Sequence, residues 1–392
     1  MRRWSSWLVA AVATIAPLAI TPPAAAGPAA APVIGGTAVP AGTWRDTAAV
    51  LFGGQQGCTG VLVAPTVVLT AGHCADPAEG DLPDGVLLGA NSLAHPSEGE
   101  TIDLTKVVMH PGGVYDLAVL VLAEPSTIAP RPLATGWVQA DITNGATVAL
   151  VGYGSIDRDG EVYIDEMQQA TSTVTDAGCT SHRGCDARAR PLGEIGAGGM
   201  GIDTCPGDSG GPMYLRTDYG EFLAGITSRG YDDNQFFCSE GGIYVRPDKD
   251  ELVAWIEAEG GAELPVGRGP KAAAFSVTAG GDKTVTVDAD DPRAGRGHGF
   301  EIVTGPAHGT ATITADGALT VSAAGDYTGD DVVVVRATDT GDATRSARGR
   351  IHYAVTEDSG GCAAGGGGGL ATALVCAPFG LGLLLRRRRS VA

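Results

Sequence analysis

Residues 203–212, Asp-Thr-Cys-Pro-Gly-Asp-Ser-Gly-Gly-Pro, constrain this chain more than any other stretch. A serine hemmed in by Gly207, Gly210 and Gly211 suits neither helix nor strand, because glycine is costly to order and packs nothing. Such a run is tolerated where backbone must approach something closely. A hydroxyl nucleophile needs that: room for a carbonyl, and bare N–H groups beside it to hold a developing oxyanion. Alone, the run fits more than one fold, and it also fits a plain Gly-rich turn.

The surrounding sequence reads as short strands. Residues 48–52, 60–69, 86–88, 102–108 and 117–122 form one set of apolar or alternating runs. A second set covers 147–152, 168–174, 211–215, 221–228 and 242–245, and Gly, Pro and Asn clusters divide the runs. Residues 247–257 then predict a helix with Leu252, Val253, Trp255 and Ile256 on its apolar face. Two sets of evenly spaced strands and a closing helix predict an all-β, double β-barrel domain. Sixty glycines and 5% aromatics agree with loops and β-structure, and a net charge of −19 argues against nucleic acid as a partner.

Thr70-Ala71-Gly72-His73-Cys74 directly follows an apolar run. Cys58 lies 16 residues before Cys74, and a Cys58–Cys74 bridge would pin the loop carrying His73, which a catalytic base within reach of its nucleophile requires. Asp116 opens the apolar run Leu117-Ala118-Val119-Leu120, where a part-buried carboxylate needs a partner such as a histidine.

On these residues the stretch 33–260 resembles the trypsin/chymotrypsin family of serine proteases. Val33-Ile34-Gly35-Gly36, Thr70-Ala71-Gly72-His73-Cys74, Asp116-Leu117-Ala118-Val119-Leu120 and Gly207-Asp208-Ser209-Gly210-Gly211-Pro212 occur in the family's order. That order also disposes of an α/β-hydrolase elbow at Gly207-x-Ser209-x-Gly211, which needs acid and histidine after the serine. The resemblance implies a serine endopeptidase with His73, Asp116 and Ser209 as triad and the N–H groups of Gly207 and Ser209 as oxyanion hole, needing no cofactor and no metal. It implies a primary pocket with Asp203 at its floor and Ser228, Gly230 and Gly242 on its walls, hence cleavage after Arg or Lys of protein or peptide substrates. It further implies that Asp208 pairs with a new α-amino group at Val33, released by an activating protease from the short propeptide 27–32. Pro32 precedes Val33, so self-activation by an enzyme of Arg/Lys specificity is not expected. Cys205–Cys238 and Cys179–Cys185 are the remaining implied bridges. Two features depart from the family: Arg229 stands where an aromatic residue usually lines the substrate strand, and residues 231–237 read as an insertion at the pocket rim.

Residues 261–271 read as a Gly/Pro/Ala-rich linker. Seven short alternating runs between 272 and 356 predict a small β-sandwich, and its Gly/Asp-rich turns resemble cadherin-like and Ig-like modules of bacterial surface proteins. Asp288, Asp290 and Asp291 there read as a solvated turn, with Ca²⁺ ligation as the alternative. At the N-terminus Arg2-Arg3, an apolar run and Ala24-Ala25-Ala26 predict a signal peptide over 1–26. Residues 357–392 combine Cys362, glycines, the apolar stretch 370–385 and Arg386–Arg389. They resemble the C-terminal sorting tags of myxobacterial exported proteins. The tag implies a sorting peptidase and a membrane contact, transient if the tag is cut. The expected location is the cell surface, outer membrane or extracellular space.

Overall fold

The computed structural model describes residues 32–357. The expected signal peptide, all of the expected propeptide except Pro32, and the C-terminal tail beyond Glu357 lie outside the described residues. Two six-stranded barrels and a two-sheet sandwich follow one another along the chain. Among the described residues no helix is long and apolar enough to cross a membrane.

After the two-residue strand β1 (Thr37–Ala38), the first barrel comprises β2 (Thr47–Phe52), β3 (Gln55–Ala64), β4 (Val67–Thr70), β5 (Gly85–Leu88), β6 (Glu100–Met109) and β7 (Ala118–Leu122). They close in the order β2-β3-β4-β7-β6-β5. The run 60–69, expected as one strand, is two: β3 folds back on β4 with Val61 opposite Leu69. Pro65 lies between them, and proline cannot donate to a ladder, so the apolar run bends there. Ala48, Val50, Leu62, Val68, Val86, Leu88 and Leu120 fill the interior and remove edges and apolar surface from water together.

The second barrel comprises β8 (Thr147–Gly152), β9 (Gln168–Asp176), β10 (Glu194–Ala197), β11 (Pro212–Thr217), β12 (Gly220–Gly230) and β13 (Gly242–Val245). The order β9-β10-β13-β12-β11-β8 closes through β8 on β9, and β1 adds to β9. The closing helix runs Asp250–Gly260, three residues later than expected. Pro247 stays outside it, and Gly261 at φ +64° supplies the left-handed C-terminal cap that favours glycine. Leu252 and Ile256 are its buried residues, and Val253 and Trp255 are partly buried against the same core.

The sandwich has all seven expected strands: β14 (Ser276–Thr278), β15 (Asp282–Thr286), β16 (His298–Thr304), β17 (Gly309–Ile313), β18 (Ala318–Ala323), β19 (Gly329–Asp339) and β20 (Ser346–Thr356). A four-stranded sheet, β14-β20-β19-β16, faces a three-stranded one, β15-β18-β17. β14 runs parallel to β20, and every other pairing in the sandwich is antiparallel.

The stretch 261–271 is not a free tether. Leu133 N–H donates to Pro265 O, Gly267 N–H to Thr135 Oγ1 and Trp137 N–H to Arg268 O, so it lies along the second barrel. Trp137 is fully buried where the domains meet, among Ala289, Ala337 and Ala347, and its indole N–H donates to Ala289 O at 2.7 Å. Arg350 grips Glu257 with two 2.7 Å hydrogen bonds, Arg348 pairs with Asp250, and Arg293 with Asp141. Trp137→Ala should therefore destabilise the protein by about 3–5 kcal/mol, the range for emptying a packed aromatic site. An unchanged urea midpoint would show that the sandwich does not brace the barrels.

Candidate active site

The loop carrying Ser209 passes hard against the first barrel. A Cβ on Gly210, at φ +81°, would lie 2.0 Å from Thr70 Oγ1 and 2.4 Å from Thr59 O, so only glycine fits. Thr59 fastens the loop twice: its N–H donates to Ser209 O at 2.9 Å and its hydroxyl to Gly207 O at 2.8 Å. Asp208 N–H and Gly210 N–H are used internally, on Cys205 O and Thr227 O. Among the described residues no protein group takes the N–H of Gly207 or Ser209, which is the condition an oxyanion hole requires.

His73 sits just after β4 in a short 3₁₀ turn. The Cys58–Cys74 disulfide is formed and fastens that turn to β3, with Cys74 Sγ 3.8 Å from Ser209 O. Asp116 then meets the histidine twice. Its Oδ1 accepts from His73 N–H at 2.8 Å and its Oδ2 lies 2.9 Å from His73 Nδ1. A Cβ on Gly72 would sit 3.0 Å from Asp116 Oδ1, so this glycine opens the space through which the carboxylate reaches the ring. Ser228 Oγ also donates to Asp116 Oδ2, at 2.7 Å.

Burial opposes charge on both partners, and their contact overrides it. His73 is raised from its ordinary 6.5, because the hydrogen bond and charge of Asp116, with Glu79 behind, outweigh desolvation. Asp116 is lowered: desolvation pushes it up, but hydrogen bonds from His73 and Ser228 and the His73 charge outweigh that. With Nδ1 committed to the carboxylate, the Nε2 lone pair is left to act as base.

Asp203 lies at the end of β10's loop, 2% exposed. Its Oδ2 accepts from the N–H groups of Ser239, Glu240 and Gly241 and its Oδ1 from Thr204 N–H. Burial pushes its carboxyl up to about 6 against those four hydrogen bonds. Gly230 and Gly242 pair across β12 and β13; a Cβ on Gly242 would come 3.8 Å from Asp203 Oδ1, and one on Gly230 would meet Asn234 Nδ2 at 3.2 Å. Ser228, expected only as a pocket wall, has its hydroxyl on Asp116.

Asp208 is wholly buried, with Oδ1 accepting from Gly154 N–H and Oδ2 from Cys205 N–H. Gly152 and Gly154 make its niche: a Cβ on either would strike its carboxyl group within 2.6 Å. Desolvation, with a smaller push from Asp203, raises it to about 7. Val33 is 1% exposed and packed with Ala134, Val138 and Leu150, while Ile34 O accepts from Asp203 N–H. Its φ of +35° is a strained conformation for a β-branched residue.

Cys205–Cys238 and Cys179–Cys185 are also formed. Sequence reasoning missed a line of side chains beside the His73–Asp116 pair. Arg229 donates to Ser228 Oγ at 2.9 Å, to Gly184 O at 2.7 Å and to the buried Glu194 at 2.6 Å. Its unusual residue type was the one signal available. It borders a cleft of about 580 Å³ that also includes His73, His110 and Asp232. In the sandwich, Asp290 pairs with Arg268 and Lys271, and Arg345 lies 4.0 Å from Asp291, so cations of the chain meet two of the three acids considered for Ca²⁺.

Residues 33–256 match the family model described as Trypsin, and residues 265–363 the one described as Bacterial Ig domain. The chain is 31% identical over 230 residues to Serine protease 56 of Homo sapiens, covering 55% of this chain and 36% of that protein. It is 34% identical over 183 residues to a Trypsin-like protease of Streptomyces glaucescens, covering 45% of this chain and 66% of that protein. It is 30% identical over 241 residues to Glucanase inhibitor protein 3 of Phytophthora infestans, covering 58% and 87%. The chain thus spans less than two thirds of the length of the first two.

Proposed function

The chain belongs to the trypsin family, with a bacterial Ig domain at its C-terminal side, and from that premise we propose that it is a serine endopeptidase cutting after Arg or Lys. The observation that carries the reading is the Asp116–His73 couple, with Nε2 left over as base, fastened beside the Ser209 loop. In this reading Ser209 Oγ attacks the peptide carbonyl and His73 Nε2 takes its proton. The N–H groups of Gly207 and Ser209 hold the resulting oxyanion. Collapse expels the amine, which receives the proton from His73, and water releases the acyl group by the same steps in reverse. Asp116 fixes the tautomer and stabilises the imidazolium.

Asp203 supports the choice of Arg or Lys: a cationic side chain reaching past Gly242 would meet a buried carboxylate. Peptide amides with Arg and with Phe before the scissile bond test this directly. The Arg substrate is expected to win by at least a hundredfold, because leaving the buried acid unpaired costs several kcal/mol. Equal turnover would overturn the assignment.

Activation follows from Asp208 and Val33. Cleavage between Pro32 and Val33 would supply an ammonium for the buried carboxylate and abolish the strained torsion at Val33. A different protease must make that cut. Export through a signal peptide agrees with three disulfides in the described residues, and the sorting-tag reading places the enzyme at the cell surface or outside it. A second reading, a binding protein on a protease scaffold, draws on the name of the Phytophthora infestans relative, a glucanase inhibitor protein. All three triad residue types argue for the enzyme, and labelling of Ser209 by an organofluorophosphate separates the two.

A further inference from the structure

Arg229, near the end of β12, has its guanidinium engaged on three sides. Nη2 donates to Glu194 Oε1 and Gly184 O, and Nη1 to Ser228 Oγ. The Glu194 side chain is 1% exposed, and its other oxygen accepts from Asp186 N–H at 2.7 Å. The acid is therefore a fixed post. A guanidinium offers no lone pair, so a hydroxyl that receives Nη1–H must direct its own proton elsewhere. Asp116 Oδ2 receives it, at 2.7 Å. Donors thus run in one direction from Arg229 through Ser228 to Asp116, and Asp116 holds His73.

We propose that Arg229 is a positioning residue of the triad: anchored by Glu194, it locks the Ser228 hydroxyl so that its proton always points at Asp116, which keeps the carboxylate aimed at His73. The proposal rests on the triad reading given above. An unlocked hydroxyl would spend part of its time turned away, and Asp116 would lose one of the contacts that hold it square to the ring.

The charges around His73 make the role separable from a subsite role. Its own turn and the segment after it contribute Asp76 and Glu79, and the segment before β7 contributes His110 and Asp116. Across the cleft stand Asp186, itself paired with Arg188, then Asp232 and Arg229. Among the described residues lining the cleft, Arg229 is the one permanent cation. Removing it alone should raise the His73 pKa and move the acid limb of kcat/KM to higher pH. Glu194→Gln alone should move that limb to lower pH. Removing both charges should leave the limb near its original place.

The experiment uses the full chain, processed to its active form. Arg229→Met combined with Glu194→Gln removes both charges without leaving a buried ion, so it tests the proposal even if Arg229→Met alone does not fold. Limiting kcat on the alkaline plateau should fall roughly tenfold, as expected for losing one hydrogen bond from a charged donor, with KM little changed. Arg229→Lys should restore most of it. In a Ser228→Ala background the same double change should produce no further fall, because the hydroxyl it acts through is gone. A rise in KM with kcat intact, or an equal fall with and without Ser228, would overturn the role. Turnover by Ser209→Ala would instead overturn the triad itself, so the two failures are distinguishable.

Discussion

Ser209→Ala is expected to lower kcat for peptide hydrolysis by roughly 10⁴–10⁶-fold, with KM within a few-fold of the parent. The size follows from what remains. Without the hydroxyl there is no acyl-enzyme, and His73 has nothing to deprotonate except water that no group positions. The free N–H groups at Gly207 and Ser209 still polarise a bound carbonyl, which leaves a residual rate above that in water. In the proposed mechanism the three side chains act as one unit, so adding His73→Ala to Ser209→Ala should cost almost nothing more. Steady-state kinetics on an Arg peptide, with melting curves to show that the variant is folded, provide the check. Near-native turnover in the single variant would dismantle the mechanism.

The second large effect concerns pH and the state of the N-terminus. In the uncleaved chain Asp208 is a buried carboxyl with only backbone N–H partners, and its folded value of about 7 stands above the ordinary 3.8. The sign follows from proton uptake. Below pH 3.8 the group is protonated whether folded or not, and its contribution to stability is complete. As pH rises the unfolded chain releases the proton while the folded chain keeps it, so stability falls until the folded group also ionises near 7. The difference corresponds to about 4 kcal/mol lost across that window. A free α-amino group at Val33 would pair with the carboxylate and remove most of the loss. Urea unfolding of Ser209→Ala protein, with residues 27–32 attached and with Val33 as first residue, should show a markedly steeper decline between pH 4 and 7 in the former, since Asp203, raised to about 6, contributes equally to both. Parallel curves would mean that Asp208 and Val33 do not form the activation pair.

Much of the fold was legible because barrels are made of short strands with sharp punctuation, and Gly/Pro clusters mark the ends of such strands. The exception is instructive. Residues 60–69 read as one strand because apolar residues continue on both sides of Pro65, and only the missing donor of that proline marks the hairpin. The site was legible where its chemistry is concentrated within a few neighbouring residues, as around His73 and Ser209. It was not legible where the partner is remote. Glu194 and Arg229 are 35 residues apart and meet through barrel closure, with β10 and β12 both pairing to β13. Ser228 could be assigned to a strand by pattern, but which way its hydroxyl turns depends on Asp116, 112 residues away. Trp137 posed the same difficulty. A single buried tryptophan gives no hint in sequence that half its surroundings come from another domain.

The parallel pairing of β14 with β20 carries a mechanical consequence. The sandwich enters through one of these strands and leaves through the other, side by side and pointing the same way. Tension between the barrels and anything gripping the chain beyond residue 357 would drag the two strands past each other lengthwise. Every rung of that short ladder then shares the load at once, where a hairpin would open one rung at a time. An enzyme tethered by its tail in moving fluid would thus be held by the part of its sandwich best arranged to resist being pulled out.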